Sequence, residues 1–382
     1  MSHSRLTQAD VIVVGAGIIG ASCAHQLAQA GYRILLLDNQ SRAATAAGMG
    51  HLVCMDDNPA ELALSSYSIA QWRPLLEQMP ASCAWHACGT LWIAAHPEEM
   101  SLAEQKQQRL ASVGIQSALL SAQQLQHIEP MLRQGLTGGL RVPSEGILYA
   151  PNVAQWLVQQ GKERVTLRHA EVVRLEEQSV VLADGENLSA PAIILANGIH
   201  AQHLLPELPL QPKKGQLAIT DRYPLRVHHQ LVELGYVASA HANSGTSVAF
   251  NVQPRPTGQL LIGSSRQFNT LDPTVEMPVL QAMLQRALHY LPSLAEMNLI
   301  RSWSGFRATS PDNLPLLGAH PRYKGLWLAV GHEGLGVTTA TGSAQILTAL
   351  IQGHTPPIDA TPYLASRFLS THIPLAVTEN NR

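Results

Sequence analysis

Near its N-terminus the chain carries an apolar run, Val11-Ile12-Val13-Val14, followed by Gly15-Ala16-Gly17-Ile18-Ile19-Gly20. An amphipathic run to Gly31 comes next, then Ile34-Leu35-Leu36-Leu37 ending on Asp38. Strand, glycine turn, helix, strand and acid in this order open a Rossmann unit. Gly15 permits the tight turn, Gly17 lets a pyrophosphate approach the backbone, and Gly20 lets the helix pack closely on the strand. The phosphates would sit on free N–H groups at the positive end of a helix running from about Ile18 to Ala30 and closed by Gly31. Asp38, eighteen residues after Gly20, suits two ribose hydroxyls and would repel a 2′-phosphate. The opening therefore points to NAD or FAD rather than NADP. It is not a signal peptide: Arg5 is the one basic residue upstream and glycines interrupt the apolar run.

A second glycine-rich region lies about three hundred residues later: GFRATSPDNLPLLG from Gly305 to Gly318, then GLWLAVGHEGLGVTTATG from Gly325 to Gly342. The two regions make sense if they meet around one dinucleotide, and the second brings a candidate substrate anchor, Arg307.

With 382 residues, 46% hydrophobic and 14% charged, the chain can build a large core or two domains. A net charge of −2 gives no electrostatic footprint for nucleic acid. No apolar stretch approaches the ~20 residues of a membrane span. Cys23, Cys54, Cys83 and Cys88 have neither CxxC nor zinc spacing, so no metal site or disulfide framework is expected. Cys23 reads as a buried inert thiol. With no export signal, the cytoplasm is the expected location.

The small-residue stretch Ser41 to Val53 lets backbone approach a flat ligand, so Ala47, Gly48, Met49 and Gly50 join Asp38 and Asn39 as cofactor candidates. Asn58-Pro59-Ala60-Glu61 reads as a helix start continuing to about Met79. Gly89–Ala95 reads as a strand; Glu98–Val113 and Ser121–Ile128 read as helices. Short strands follow from Val165 around Ala183-Asp184-Gly185, and Val172 and Val173 are taken as cofactor contacts. The apolar strand ending in Ala196-Asn197-Gly198 resembles a buried parallel strand whose end faces the cofactor. From Lys213 to about Ser264 an antiparallel sheet is expected, then a helix from Met283 to Leu291.

Together the opening unit, the Ala192–Gly198 strand, GFRATSPDNLPLLG and GHEGLG resemble the D-amino acid oxidase superfamily of FAD enzymes over essentially the whole chain. PKKGQLAI, VAFNVQPRPTGQLLIGSSRQF and GHEGLGVTTATGSAQIL are most similar to β-type subunits of D-hydroxyproline dehydrogenase and opine oxidase, with the hydrogen cyanide synthase flavin subunit nearby. The resemblance implies an α/β fold: a Rossmann-like, glutathione-reductase-like FAD-binding domain (1–83, 143–216 and 300–382) interleaved with an antiparallel-sheet α+β substrate domain (84–142 and 217–299).

It also implies that Gly331, His332, Gly334, Leu335, Gly336, Val337 and Thr338 contact the flavin, with the following helix pointing its N-terminus at the ring. Arg307 would hold the substrate carboxylate bidentately, although Ala308 stands where proline is usual. Gly305 falls where some relatives carry a flavin-linking cysteine, so non-covalent FAD is implied. His51 is a candidate near the reactive edge of the flavin, with a packing role the alternative. Glu333 and His332 read as structural parts of the loop. Lys213 and Lys214 read as solvated surface lysines, the other reading being a phosphate or a second flavin at a subunit interface. Tyr236 and Phe250 read as core aromatics rather than pocket residues.

The implied chemistry is oxidation of a C–N bond by hydride transfer to flavin N5, with no dedicated base required. A D-hydroxyproline or other secondary-amine dehydrogenase passing electrons to iron–sulfur partner subunits is the leading expectation. A self-sufficient glycine, sarcosine or D-amino acid oxidase and a non-catalytic electron-relay subunit are the alternatives.

Overall fold

The computed structural model describes residues 9–41, 43–224, 226–235 and 245–369; Arg5 and Tyr236 lie outside them. The opening unit forms as its sequence demands. Strand Val11–Val14 is buried throughout, helix Ile18–Gln29 follows, and Gly31 takes φ +96° at the helix end. There Tyr32 N–H donates to Leu27 O, so the chain turns back into strand Ile34–Asp38.

Six strands make the first sheet, in the order Leu316–Ala319, Leu326–Val330, Ala192–Leu195, Val11–Val14, Ile34–Asp38, Val165–His169. All pair in parallel except Leu316–Ala319. The central strands are apolar on both faces because helices cover one and the meander Val172–Glu176, Ser179–Leu182, Asn187–Ser189 lies by the other. Helices Ile18–Gln29 and Gly336–Ile351 pack side by side. At Gly342 an added Cβ would stand 2.2 Å from Ser68 Oγ of helix Pro59–Leu76, so small residues set that approach.

The second sheet has eight strands: Leu299–Thr309, Gln211–Thr220, Leu260–Phe268, Thr246–Pro254, Gln230–Glu233, Thr90–Ala94, Gly138–Val142, Ala118–Ser121. It is antiparallel apart from the Gln230–Glu233/Thr90–Ala94 pair. Helix Met277–Tyr290 covers one face, where Phe250 is fully buried and stacks on Tyr290 at 4.4 Å. Phe250 is thus a core residue. That helix starts earlier than its expected Met283, because Pro278 occupies a first-turn position where its missing N–H is harmless. Helix Pro59–Leu76 stops short of Met79 and tolerates Pro74 near its end. Helix Ala150–Gln160 packs against helix Ile18–Gln29 and has no counterpart in the sequence reading. Cys23 and the other three cysteines are free and buried. No helix among the described residues is long and apolar enough to cross a membrane.

Candidate active site

The C-terminal ends of the parallel strands, the open end of helix Ile18–Gln29 and one face of the eight-stranded sheet enclose a cavity of about 1120 Å³. This exceeds a drug-sized pocket of ~300–1,000 Å³ and has room for a dinucleotide plus a small substrate. The expected cofactor residues line it, apart from Gly20 and Thr338.

Gly15, at φ +101°, is wedged where a Cβ would meet Ala196 O at 2.8 Å, and a Cβ on Gly20 would stand 1.8 Å from Gly15 O. Gly20 therefore sets the helix against the turn from beneath. Gly17 caps the helix without any side-chain hydrogen bond, leaving a helix N-terminus facing the cavity. Thr45, from the short helix Ala44–Ala47, adds a hydroxyl there: its Oγ1 accepts from Ile18 N–H at 3.0 Å. The sequence reading did not single out Thr45. Its signal was a lone hydroxyl in an alanine stretch. Asp38 accepts from Ala16 N–H and Gln40 N–H, each at 2.7 Å, which fixes its carboxylate at the cavity's edge. Val172 and Val173 line the same end, and Asn197 presents a buried Oδ1 without a protein partner.

At the other end, loop 47–50 is clamped. Trp303 Nε1 donates to Ala47 O at 3.0 Å and Arg255 Nη2 donates to Met49 O at 2.7 Å. Gly50 approaches Leu148 O so closely that a Cβ would stand 2.0 Å away. A Cβ on Gly305 would lie 2.3 Å from Ala47 Cβ, so a cysteine has no room at that position. The loop Gly331–Leu335 then delivers helix Gly336–Ile351, again without a side-chain cap. Thr338 works behind the cavity wall: its Oγ1 donates to His51 O and accepts from Val53 N–H, both at 3.2 Å. His332 is buried, with Nε2 at 3.1 Å from Ser343 Oγ.

Arg307 projects into the cavity from strand Leu299–Thr309, its guanidinium lying on Gly215 and its Nη1 donating to Ser265 O at 3.3 Å. Ala308 is held by pairing with Pro212 and by its O accepting from Glu333 N–H at 2.9 Å, so the ladder fixes what proline would have fixed. Glu333 is buried. Burial alone would raise its carboxyl, but Arg307, Arg266 and Lys213 together hold it down at about 2. Three cations thus act on one carboxylate.

His51 lines the cavity beside Arg307 and Gly334 with its Nδ1 unpaired. Burial and the Arg307 charge push its imidazole down to about 4, which makes it neutral at physiological pH. Lys213 and Lys214 are not surface residues. Lys213 is buried and donates to Asn313 Oδ1 at 3.0 Å, with Glu333 at 3.5 Å; Lys214 is fully buried and donates to Glu276 at 2.9 Å. Their strand lies inside the second sheet, which removes both from solvent. Asn251, Ser264 and Arg266 also line the cavity and escaped the sequence reading. Asn251 interrupts an apolar run with a polar side chain, the signal that was there, whereas Ser264 and Arg266 lie in the polar half of their strand.

A flavin dinucleotide fits this architecture. Gly17 brings no side chain to the helix start, the N-termini of helices Ile18–Gln29 and Gly336–Ile351 face the cavity, and Asn197 Oδ1 lacks a partner.

The family described as DAO, FAD dependent oxidoreductase, matches residues 10–350. Glycine oxidase of Pseudomonas aeruginosa is 28% identical over 381 residues, covering 92% of this chain and 97% of that protein. Hydrogen cyanide synthase subunit HcnC of the same organism is 24% identical over 418 residues, covering 94% and 96%. Among solved structures, glycine oxidase from Geobacillus kaustophilus superposes with a TM-score of 0.84 at 23% identity, covering 95% of this chain and 99% of that one.

Proposed function

Because the chain belongs to the DAO family of FAD-dependent oxidoreductases, we propose that it is a dehydrogenase of small imino acids or secondary amines, with D-hydroxyproline as the first substrate to test. That it is an FAD-dependent enzyme acting on amino-acid CH–NH donors follows from the family. That the substrate carries a carboxylate rests on Arg307, a guanidinium aimed into the cavity with Gly215 as a flat seat. The secondary-amine reading rests on the resemblance carried by residues 212–219, 248–268 and 331–347.

FAD, when bound, supplies a two-electron acceptor for hydride from the substrate's Cα. Gly15, Gly17, Thr45 and Asp38 would hold its ribose and pyrophosphate, and Gly48 to Gly50 with Gly334 to Val337 its ring. Arg307 would pair with the substrate carboxylate through two parallel N–H···O bonds, which fixes the Cα–H direction. The Glu333 carboxylate acts on the guanidinium through its charge. Neutral His51 adds no competing charge at the reacting nitrogen. Met49, Leu217 and Trp92 line the cavity with apolar surface and exclude water from it. In this reading residues 1–83, 143–216 and 300–382 form the FAD-binding domain and 84–142 and 217–299 the substrate domain, with strands Gln211–Thr220 and Leu299–Thr309 crossing between them.

The chain would work as the flavin subunit of a larger assembly. The curated relative from hydrogen cyanide synthase is itself called a subunit, and the four scattered cysteines here offer no iron–sulfur ligand set. Similarity to glycine oxidase supports a second reading, a self-sufficient oxidase.

Anaerobic titration of the holoenzyme with cis-4-hydroxy-D-proline, D-proline, sarcosine, glycine and an opine tests both. Bleaching of the visible flavin band by a secondary amine, with slow recovery in air and fast recovery with an artificial acceptor, is the expected result. Fast recovery in air with peroxide gives the oxidase instead. No bleaching by any of them contradicts the proposed substrate class.

A further inference from the structure

Helix Pro59–Leu76 opens with Asn58, whose Oδ1 accepts from Glu61 N–H at 2.9 Å. A glutamate at this position ordinarily reaches back to close a capping box. Glu61 does not: Asp57 N–H meets its carboxyl, and Oε1 has no partner although the residue is only 8% exposed. Glu61 and the exposed Asp57 both line the cavity.

The charged groups facing Glu61 are Asp57 beside it, Glu333 from the loop before the C-terminal helix, and Lys106 from helix Pro97–Ser112, already paired with Asp56. Burial first, and then the Asp57 charge, push the Glu61 carboxyl up to about 8. Among the titratable groups near Arg307, Glu333 stays ionised, His51 stays neutral and Lys213 is tied to Asn313 and Glu333.

We infer that Glu61 accepts the proton of the substrate's ammonium nitrogen and that Asp57 is its outlet to solvent. This rests on the reading of amino-acid oxidation above. The substrate arrives as a zwitterion, and its nitrogen needs a free lone pair before the C–N bond is oxidised. As the cationic nitrogen enters, Glu61 gives its own O–H proton to solvent past Asp57. The resulting carboxylate takes the N–H proton, and that bond's electron pair stays on nitrogen. The Cα–H bond then breaks with its pair leaving as hydride to the family's flavin, and the nitrogen lone pair closes the C=N bond. Atoms and electrons balance without any further reactant.

The test uses α-methylproline, which carries the carboxylate and the ammonium but has no Cα–H to lose. Calorimetry of its binding to the holoenzyme at pH 7, in buffers of different ionisation heat, counts the protons released. About one proton per site is expected for the wild type, none for Glu61→Gln, and release again for Glu61→Asp. An infrared carbonyl band of a protonated carboxyl is expected in the free wild type, retained though shifted on adding α-methylproline because the carboxylate has taken the N–H proton, and missing from Glu61→Gln. For an oxidisable substrate, flavin reduction at pH 7 falls at least ~100-fold in Glu61→Gln and recovers as pH rises toward the free amine's range. Equal proton release in wild type and Glu61→Gln, or no such carbonyl band, overturns the inference. If α-methylproline does not bind and no amino acid bleaches the flavin, the functional reading itself fails and takes this one with it.

Discussion

The Arg307 guanidinium rests on Gly215 so closely that a Cβ at 215 would stand 2.8 Å from Nη2 and 2.9 Å from Nη1. The missing side chain of one strand is thus the seat of the cation on the next. Gly215→Ala is expected to displace the guanidinium without touching the dinucleotide cradle. A hydrogen bond to a charged group contributes ~1.5–3 kcal/mol, so KM should rise about 10- to 100-fold with FAD content unchanged. Steady-state kinetics and the visible absorbance of the purified variant check both parts.

Glu333 gives a pH-dependent prediction. Its folded carboxyl is held at about 2, below its ordinary 4.5, by Arg307, Arg266 and Lys213 against the opposing effect of burial. A depressed carboxyl contributes stability that is fully present above the unfolded pKa and is lost as pH falls toward the folded one. Glu333→Gln should therefore lower Tm at pH 6, and the gap to wild type should shrink between pH 4.5 and 3. Thermal unfolding of both proteins across that range reads the effect; a gap constant with pH would exclude it.

Gly305 leaves no room for a side chain, with Ala47 Cβ only 2.3 Å from where its own Cβ would be. Gly305→Ala should cost about 1–3 kcal/mol through overpacking. The strain falls on the loop that Trp303 and Arg255 clamp, so FAD retention on gel filtration should drop together with Tm. Gly305→Cys should show the same losses and no covalent flavin after denaturation.

How much of this was legible in the sequence depended on how local the cause was. The turn at Gly15, the packing of Gly20, the stop at Gly31 and the acid at Asp38 all follow from residues within one strand–helix–strand unit, and the structure places them as read. Arg307 was reached through motif resemblance, and its setting was not: its seat, Gly215, comes from another strand. Lys213 and Lys214 read as solvated because lysine usually is. Their partners Asn313 and Glu276 lie 100 and 62 residues away, and only the folded sheet brings them together. Glu61 matched a capping pattern that the backbone only half completes. The parallel pairing of Gln230–Glu233 with Thr90–Ala94 joins segments far apart in the chain and has no local signature.

The central claim is that Arg307 holds the carboxylate of an amino or imino acid in place for oxidation. The measurement that tests it most directly compares anaerobic flavin reduction by the preferred substrate and by its uncharged carboxamide, in wild type and in Arg307→Leu. Wild type should prefer the acid by ~100-fold or more, the loss expected when a buried charged group is left unpaired. In Arg307→Leu that preference should collapse to within a few-fold while FAD stays bound. Equal reduction of acid and carboxamide by the wild type, or an undiminished preference in the variant, would contradict the account.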